Sequence, residues 1–133
     1  MIKWNRQFHY PKSSRKIIDG KRHYILKEEK LPSVTTILSA TQSKEKQASL
    51  GAWRDRIGAD AADKITKDAA HRGTTMHNIL EHYMEDKFII DLTETGLQAM
   101  KMAKIIVDQG LTGKIDELWC SEGTLFYPDM YAG

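Results

Sequence analysis

The chain has 133 residues, 41% of them hydrophobic, with 20 Lys and Arg against 18 Asp and Glu for a net charge of +2. That size supports one domain, or part of one, around a modest core. A single cysteine, Cys120, excludes an intrachain disulfide and a cysteine-only metal cluster, and the lack of a signal-like apolar amino terminus or a long apolar run leads us to expect a soluble, intracellular, cytoplasmic protein with no membrane partner.

The charge is unevenly placed. Residues 1–30 hold nine Lys or Arg against three acids, and residues 31–133 hold eleven against fifteen. The basic segment is a candidate footprint for a polyanion, with Trp4, Phe8, Tyr10 and Tyr24 available to stack on bases. A solvated basic face over a small aromatic core explains the same composition.

Lys16 to Ile25 reads as two strands around Asp19-Gly20, a pair suited to the positive backbone angles of a tight hairpin. Leu31-Pro32 breaks that pattern, and Ser33 is placed to cap a short helix over Val34 to Ala40. Lys44 to Ile57 has a helical spacing of apolar residues, with Trp53 sharing a face with Leu50 and Ile57, and Gly58 ends it. Helices over Ala59 to Ala70 and Thr74 to Glu85 follow, separated by a break at Arg72-Gly73. One helix running through that glycine is the alternative, because the cost of about 1 kcal/mol relative to alanine is readily outweighed by packing.

Thr93 to Gln109 carries an apolar helical face, with Gly110 as a left-handed C-terminal residue. Ile115 to Glu122 then suggests a strand, with Thr124 to Tyr127 as its pairing partner. The expected architecture is α/β. A basic β-hairpin region (1–30) and a helical region (31–110) lead to the first strands of a mixed core sheet (111–133), all in a single, incomplete domain.

The most informative stretch is Arg72 to Tyr83. On a helix, His77 and Glu81 lie four positions apart and share a face, so an imidazole and a carboxylate can approach one metal ion or one substrate. Alone, such a pair more often makes a surface hydrogen bond. Arg72 and the amides of Gly73 and Thr74 are placed to meet a phosphate if a helix begins there; in a continuous helix, Gly73 would instead serve close packing. Arg54 and Arg56 are candidate phosphate contacts, although solvated helix charges are the more common explanation for such residues. His9, His23, His71 and His82 read as ordinary surface or core histidines, and Met100 and Met102 as packing.

Several segments agree in order and spacing with a known family. They are Leu31-Pro32-Ser33-Val34-Thr35-Thr36-Ile37-Leu38, Trp53-Arg54 to Gly58, Ala62, Ala70, Arg72-Gly73-Thr74 and His77, then Ser121-Glu122-Gly123 and Tyr131-Ala132-Gly133. This series resembles the RecB-type phage and mitochondrial genome maintenance exonucleases of the PD-(D/E)XK superfamily, over about Leu31 to Gly133. The resemblance implies a restriction-endonuclease-like core and hydrolysis of DNA, most readily single-stranded, with Mg²⁺ or Mn²⁺. It makes His77 a metal ligand and brings Glu81 and Glu122 forward as catalytic candidates, with Arg72, Gly73, Thr74 and Arg54 toward DNA.

The resemblance also places the family's two acidic ligands and its lysine beyond Gly133, so this chain is expected to be inactive alone. Pro128-Asp129 imitates the superfamily signature but precedes the Tyr-Ala-Gly landmark and suits a turn. Other readings are one subunit of a split nuclease completed by a second polypeptide, or a non-catalytic DNA-binding or interaction module. A phage source, and with it the host cytoplasm, is implied by the resemblance alone.

Overall fold

A computed structural model describes residues 2–133. Over the described residues the chain is mixed α/β, with four α-helices and several small sheets. It divides into two compact units, one of residues 2–7 with Trp53–Ser121 and one of Phe8–Ala52 with Glu122–Gly133. Among the described residues no helix is long and apolar enough to cross a membrane.

The unit containing Phe8–Ala52 is built on a three-stranded antiparallel sheet, β2 (Ser13–Ile18), β3 (Lys21–Leu26) and β4 (Glu29–Pro32). Asp19 and Gly20 turn β2 into β3 with φ of 52° and 73°, the two consecutive positive angles for which the Asp-Gly pair is suited. β4 departs from the expected break at Leu31-Pro32: Pro32 pairs with His23 on an edge strand, where a missing amide need not interrupt a ladder.

Ser33, only 2% exposed, ends that strand. Its hydroxyl accepts from the Thr36 amide at 3.1 Å, which fixes the start of α1 (Val34–Ala40) as expected. Leu26, Leu31 and Ala132 form the core here, with Tyr24 packed against them. Tyr24 is therefore half-buried against this core.

The last strands depart from expectation. β6 (Phe126–Tyr127) pairs with β7 (Tyr131–Ala132), not with the segment before it. Asp129 lies in the intervening turn with φ 62°, as its place after Pro128 suggested, and its amide donates to Glu29 Oε1 at 3.2 Å.

In the other unit, β1 (Lys3–Trp4) pairs in parallel with β5 (Glu117–Leu118), and the Asn5 amide donates to the Leu118 carbonyl at 2.9 Å. β5 is all that forms of the strand expected over Ile115 to Glu122. The Trp4 indole N–H donates to the Met84 carbonyl at 3.1 Å, and the Arg6 guanidinium lies 4.5 Å over its ring. One face of Trp4 is thereby engaged within the fold rather than offered to a base.

α2 spans Lys44–Ile57 and contains within its sequence the boundary between the units, at Ala52 and Trp53. It ends at Gly58, with φ 89°. It buries no residue, and Leu50 is exposed while Trp53 is half-buried, so the expected core face on this helix is not formed.

α3 (Ala59–Met84) is continuous through Arg72-Gly73 and spans 26 residues, about 39 Å at 1.5 Å per residue. α4 (Glu94–Ile106) packs beside it, with Ala62 of α3 and Gly96, Ala99 and Ala103 of α4 buried. Small side chains at these positions let the helix backbones approach. α4 passes into a π-helical turn over Val107–Leu111, so Gly110 stays helical and the left-handed residue is Gly113, with φ 68°.

Candidate active-site face on the long helix

His77 and Glu81 both lie on α3, four residues apart, so they share a face about 6 Å apart along the axis. His77 is exposed and Glu81 half-buried. Among the described residues neither side chain forms a hydrogen bond or ion pair with the other, so both remain available to a ligand. His82 is different, because its Nδ1 lies 2.8 Å from the Asn78 carbonyl one turn back.

Gly73 is one turn before His77 on the same side of the helix. A Cβ built at Gly73 would meet no atom within 4 Å, so the close-packing role expected for it in a continuous helix is not needed. The glycine instead leaves the helix backbone uncovered beside His77, a place where a ligand can approach closely.

The anion site expected at Arg72, Gly73 and Thr74 is altered by the continuity of α3. The amides of Gly73 and Thr74 lie in mid-helix, not at an amino-terminal end with free donors, so they supply neither orphan amides nor a positive dipole end. The Arg72 side chain remains a candidate, with Nη1 3.4 Å from Gln98 Oε1 on α4. Arg54 forms an ion pair with Asp63 at 2.8 Å, and both side chains are substantially exposed. A pair in that setting contributes little stability and can be exchanged for another anion.

Glu122 lies in the other unit, in a bend with φ 54°, and not on a strand. With Arg15, Tyr24, Gly123 and Thr124 it lines a polar recess of about 350 Å³. The Ser13 and Thr124 hydroxyls, 2.6 Å apart, brace its wall. The bend could not be foreseen from the strand-like composition around Trp119.

Among the described residues there is no group of three or more His, Cys, Asp or Glu that can hold a metal ion. One imidazole and one carboxylate on α3 fall short of the oxygen-rich, nearly octahedral set that Mg²⁺ demands. The residues present therefore do not fit Mg²⁺ or Mn²⁺ on their own. No protein family's sequence profile matches the chain, and neither a curated protein nor a solved structure is significantly similar to it.

Proposed function

We propose that this chain is the amino-terminal part of a metal-dependent DNA exonuclease with a restriction-endonuclease-like core, acting on single-stranded DNA. The observation that carries the reading is the face of α3 on which His77 and Glu81 stand beside Gly73, without a side-chain hydrogen bond or ion pair among the described residues and open to approach. The ordered series of segments from Leu31 to Gly133 supports it by resemblance.

In this reading His77 would supply an imidazole nitrogen to the metal and Glu81, one turn on along the same helical face, would supply a carboxylate. Arg72 and Arg54 hold phosphate. Glu122, which belongs to the other unit, is a catalytic candidate by the resemblance alone. Mg²⁺ or Mn²⁺ would polarise the phosphodiester and activate water when bound; because the present residues do not suffice for it, its acids and a lysine come from a continuation or a second polypeptide. Free, half-buried Cys120 suits a reducing cytoplasm.

A non-catalytic DNA-binding module is the second reading, favoured by the lack of a three-ligand group among the described residues. End-labelled single-stranded DNA incubated with Mg²⁺ or Mn²⁺ separates the two. The 133-residue chain alone is expected to release nothing above background, and cleavage is expected once the polypeptide encoded next to it is joined or added. Persistent inactivity of that combination, with DNA binding retained, would support the non-catalytic module.

A further inference from the structure

The register of the β2–β3–β4 sheet sorts its side chains into two faces, because cross-strand partners share a face and successive residues alternate. One face carries Tyr24, Leu26 and Leu31 toward the core. The other carries Lys16 beside His23, Lys21 beside Ile18, and Lys30 beside Ile25. All three lysines are exposed, no acid shares their face, and among the described residues none of them closes an ion pair.

Rows on one face are about 7 Å apart along the strands, so the charges are spread over the sheet instead of being focused on one point. A single small anion cannot meet them all. A chain of regularly spaced anions can.

At the hairpin tip Lys21 of this face also borders a groove of about 640 Å³, lined on the hairpin side by Ile17, Gly20 and Arg22 and on the α1 side by Thr35, Thr36 and Ser39. Ile17 and Arg22 are cross-strand partners on the opposite face of the sheet, so Lys21 is where the two surfaces meet. The Thr36 hydroxyl donates to the Arg22 carbonyl at 2.9 Å, and the Ser33 amide donates to the same oxygen at 3.0 Å. These bonds tie the two walls together, so the groove is formed before any ligand arrives. Its lining offers two cations and hydroxyl groups, with no carboxylate.

The geometry points to a docking surface for the phosphate backbone of a nucleic acid, running across Lys30, Lys16 and Lys21 on one face and around the hairpin tip to the groove at Arg22 and Ser39. None of the Phe, Tyr or Trp side chains of these strands lies on this face, and its one imidazole, His23, is half-buried with Nδ1 3.0 Å from the Lys21 carbonyl, so the face holds phosphates and binding is tolerant of sequence. The surface does not rest on the nuclease reading, because a non-catalytic module would use it equally.

The test measures binding of a fluorescein-labelled 20-nucleotide DNA strand to the full chain in EDTA over a range of salt. Lys21→Glu/Arg22→Glu is expected to weaken binding about tenfold or more and to reduce the slope of log K against log salt by about 1.4, from two lost single-strand phosphate contacts. Lys64→Glu/Lys67→Glu on α3, an equal charge change, is expected to stay within about threefold of wild type. Should the first variant fail to give the wild-type circular dichroism spectrum, Lys16→Gln/Lys30→Gln replaces it, with an expected loss of about fivefold.

Binding that is absent in wild type, unchanged in the sheet variants or equally weakened in the α3 variant overturns the proposal. So does tighter binding to phosphatidylserine vesicles than to DNA, which would make the face a membrane contact. Failure of cleavage by the completed enzyme with this binding intact would count against the nuclease reading alone.

Discussion

Gly96 and Asp91 are in contact at the start of α4: a Cβ at Gly96 would lie 2.5 Å from the Asp91 carbonyl oxygen and closer still to its carboxyl group. The same Asp91 carboxylate accepts from the Thr93 amide and hydroxyl, and the Thr93 hydroxyl oxygen in turn accepts from the Gly96 amide at 3.0 Å. Asp91, Thr93 and Gly96 thus form one cap. Gly96→Ala is expected to lower stability by about 1–3 kcal/mol through overpacking, measured by urea unfolding, whereas a cap that can shift without cost would leave the midpoint unchanged.

Gly73 makes the opposite case. α3 is continuous there and an added methyl meets nothing, so Gly73→Ala is expected to stabilise the chain by about 0.5–1 kcal/mol. If the bare backbone serves ligand approach beside His77, the same variant lowers DNA cleavage by the completed enzyme while its melting temperature rises. Gains in both would remove Gly73 from the site.

The elements legible in the sequence are those fixed by neighbouring residues. Asp19-Gly20 and Ser33 act locally, through backbone angles and one capping hydroxyl, so the hairpin and α1 followed from neighbouring residues. The break expected at Arg72-Gly73 did not form; the modest cost of a helical glycine is outweighed where α3 packs on α4. β5 was overestimated because its partner, β1, lies more than a hundred residues away. On the site, the shared face of His77 and Glu81 followed from helical spacing alone, while the engagement of Arg54 by Asp63 and of Arg72 by Gln98 depends on tertiary placement.

Glu29 supplies a pH signature. Its hydrogen-bonded neighbour Asp129 holds the Glu29 carboxyl above its ordinary value of 4.5. A raised carboxyl pKa contributes stability that is full below the unfolded value and is lost as pH rises through the folded one. Glu29→Gln, which cannot ionise, is therefore expected to gain on wild type as pH climbs from about 4 to 7, read from thermal unfolding at each pH. A difference between the two that does not change with pH would contradict the coupling.

Asp91 has the opposite sign. Hydrogen bonds from the Thr93 hydroxyl and amide hold its carboxyl below the usual range, so its contribution is present above the unfolded value of 3.8 and is lost as pH falls through the folded one. Asp91→Asn should therefore be less stable than wild type at neutral pH, with the gap closing in acid. A gap that persists unchanged to the lowest pH would assign the loss to the cap's shape and not to its charge.

The most direct measurement is cleavage of end-labelled single-stranded DNA by the completed enzyme, wild type against His77→Ala, across a titration of Mn²⁺. If His77 is a metal ligand, the variant loses roughly 10–100-fold at low Mn²⁺ and recovers part of that loss as Mn²⁺ rises. Activity equal to wild type at every Mn²⁺ concentration would contradict the assignment of this face of α3 to the metal.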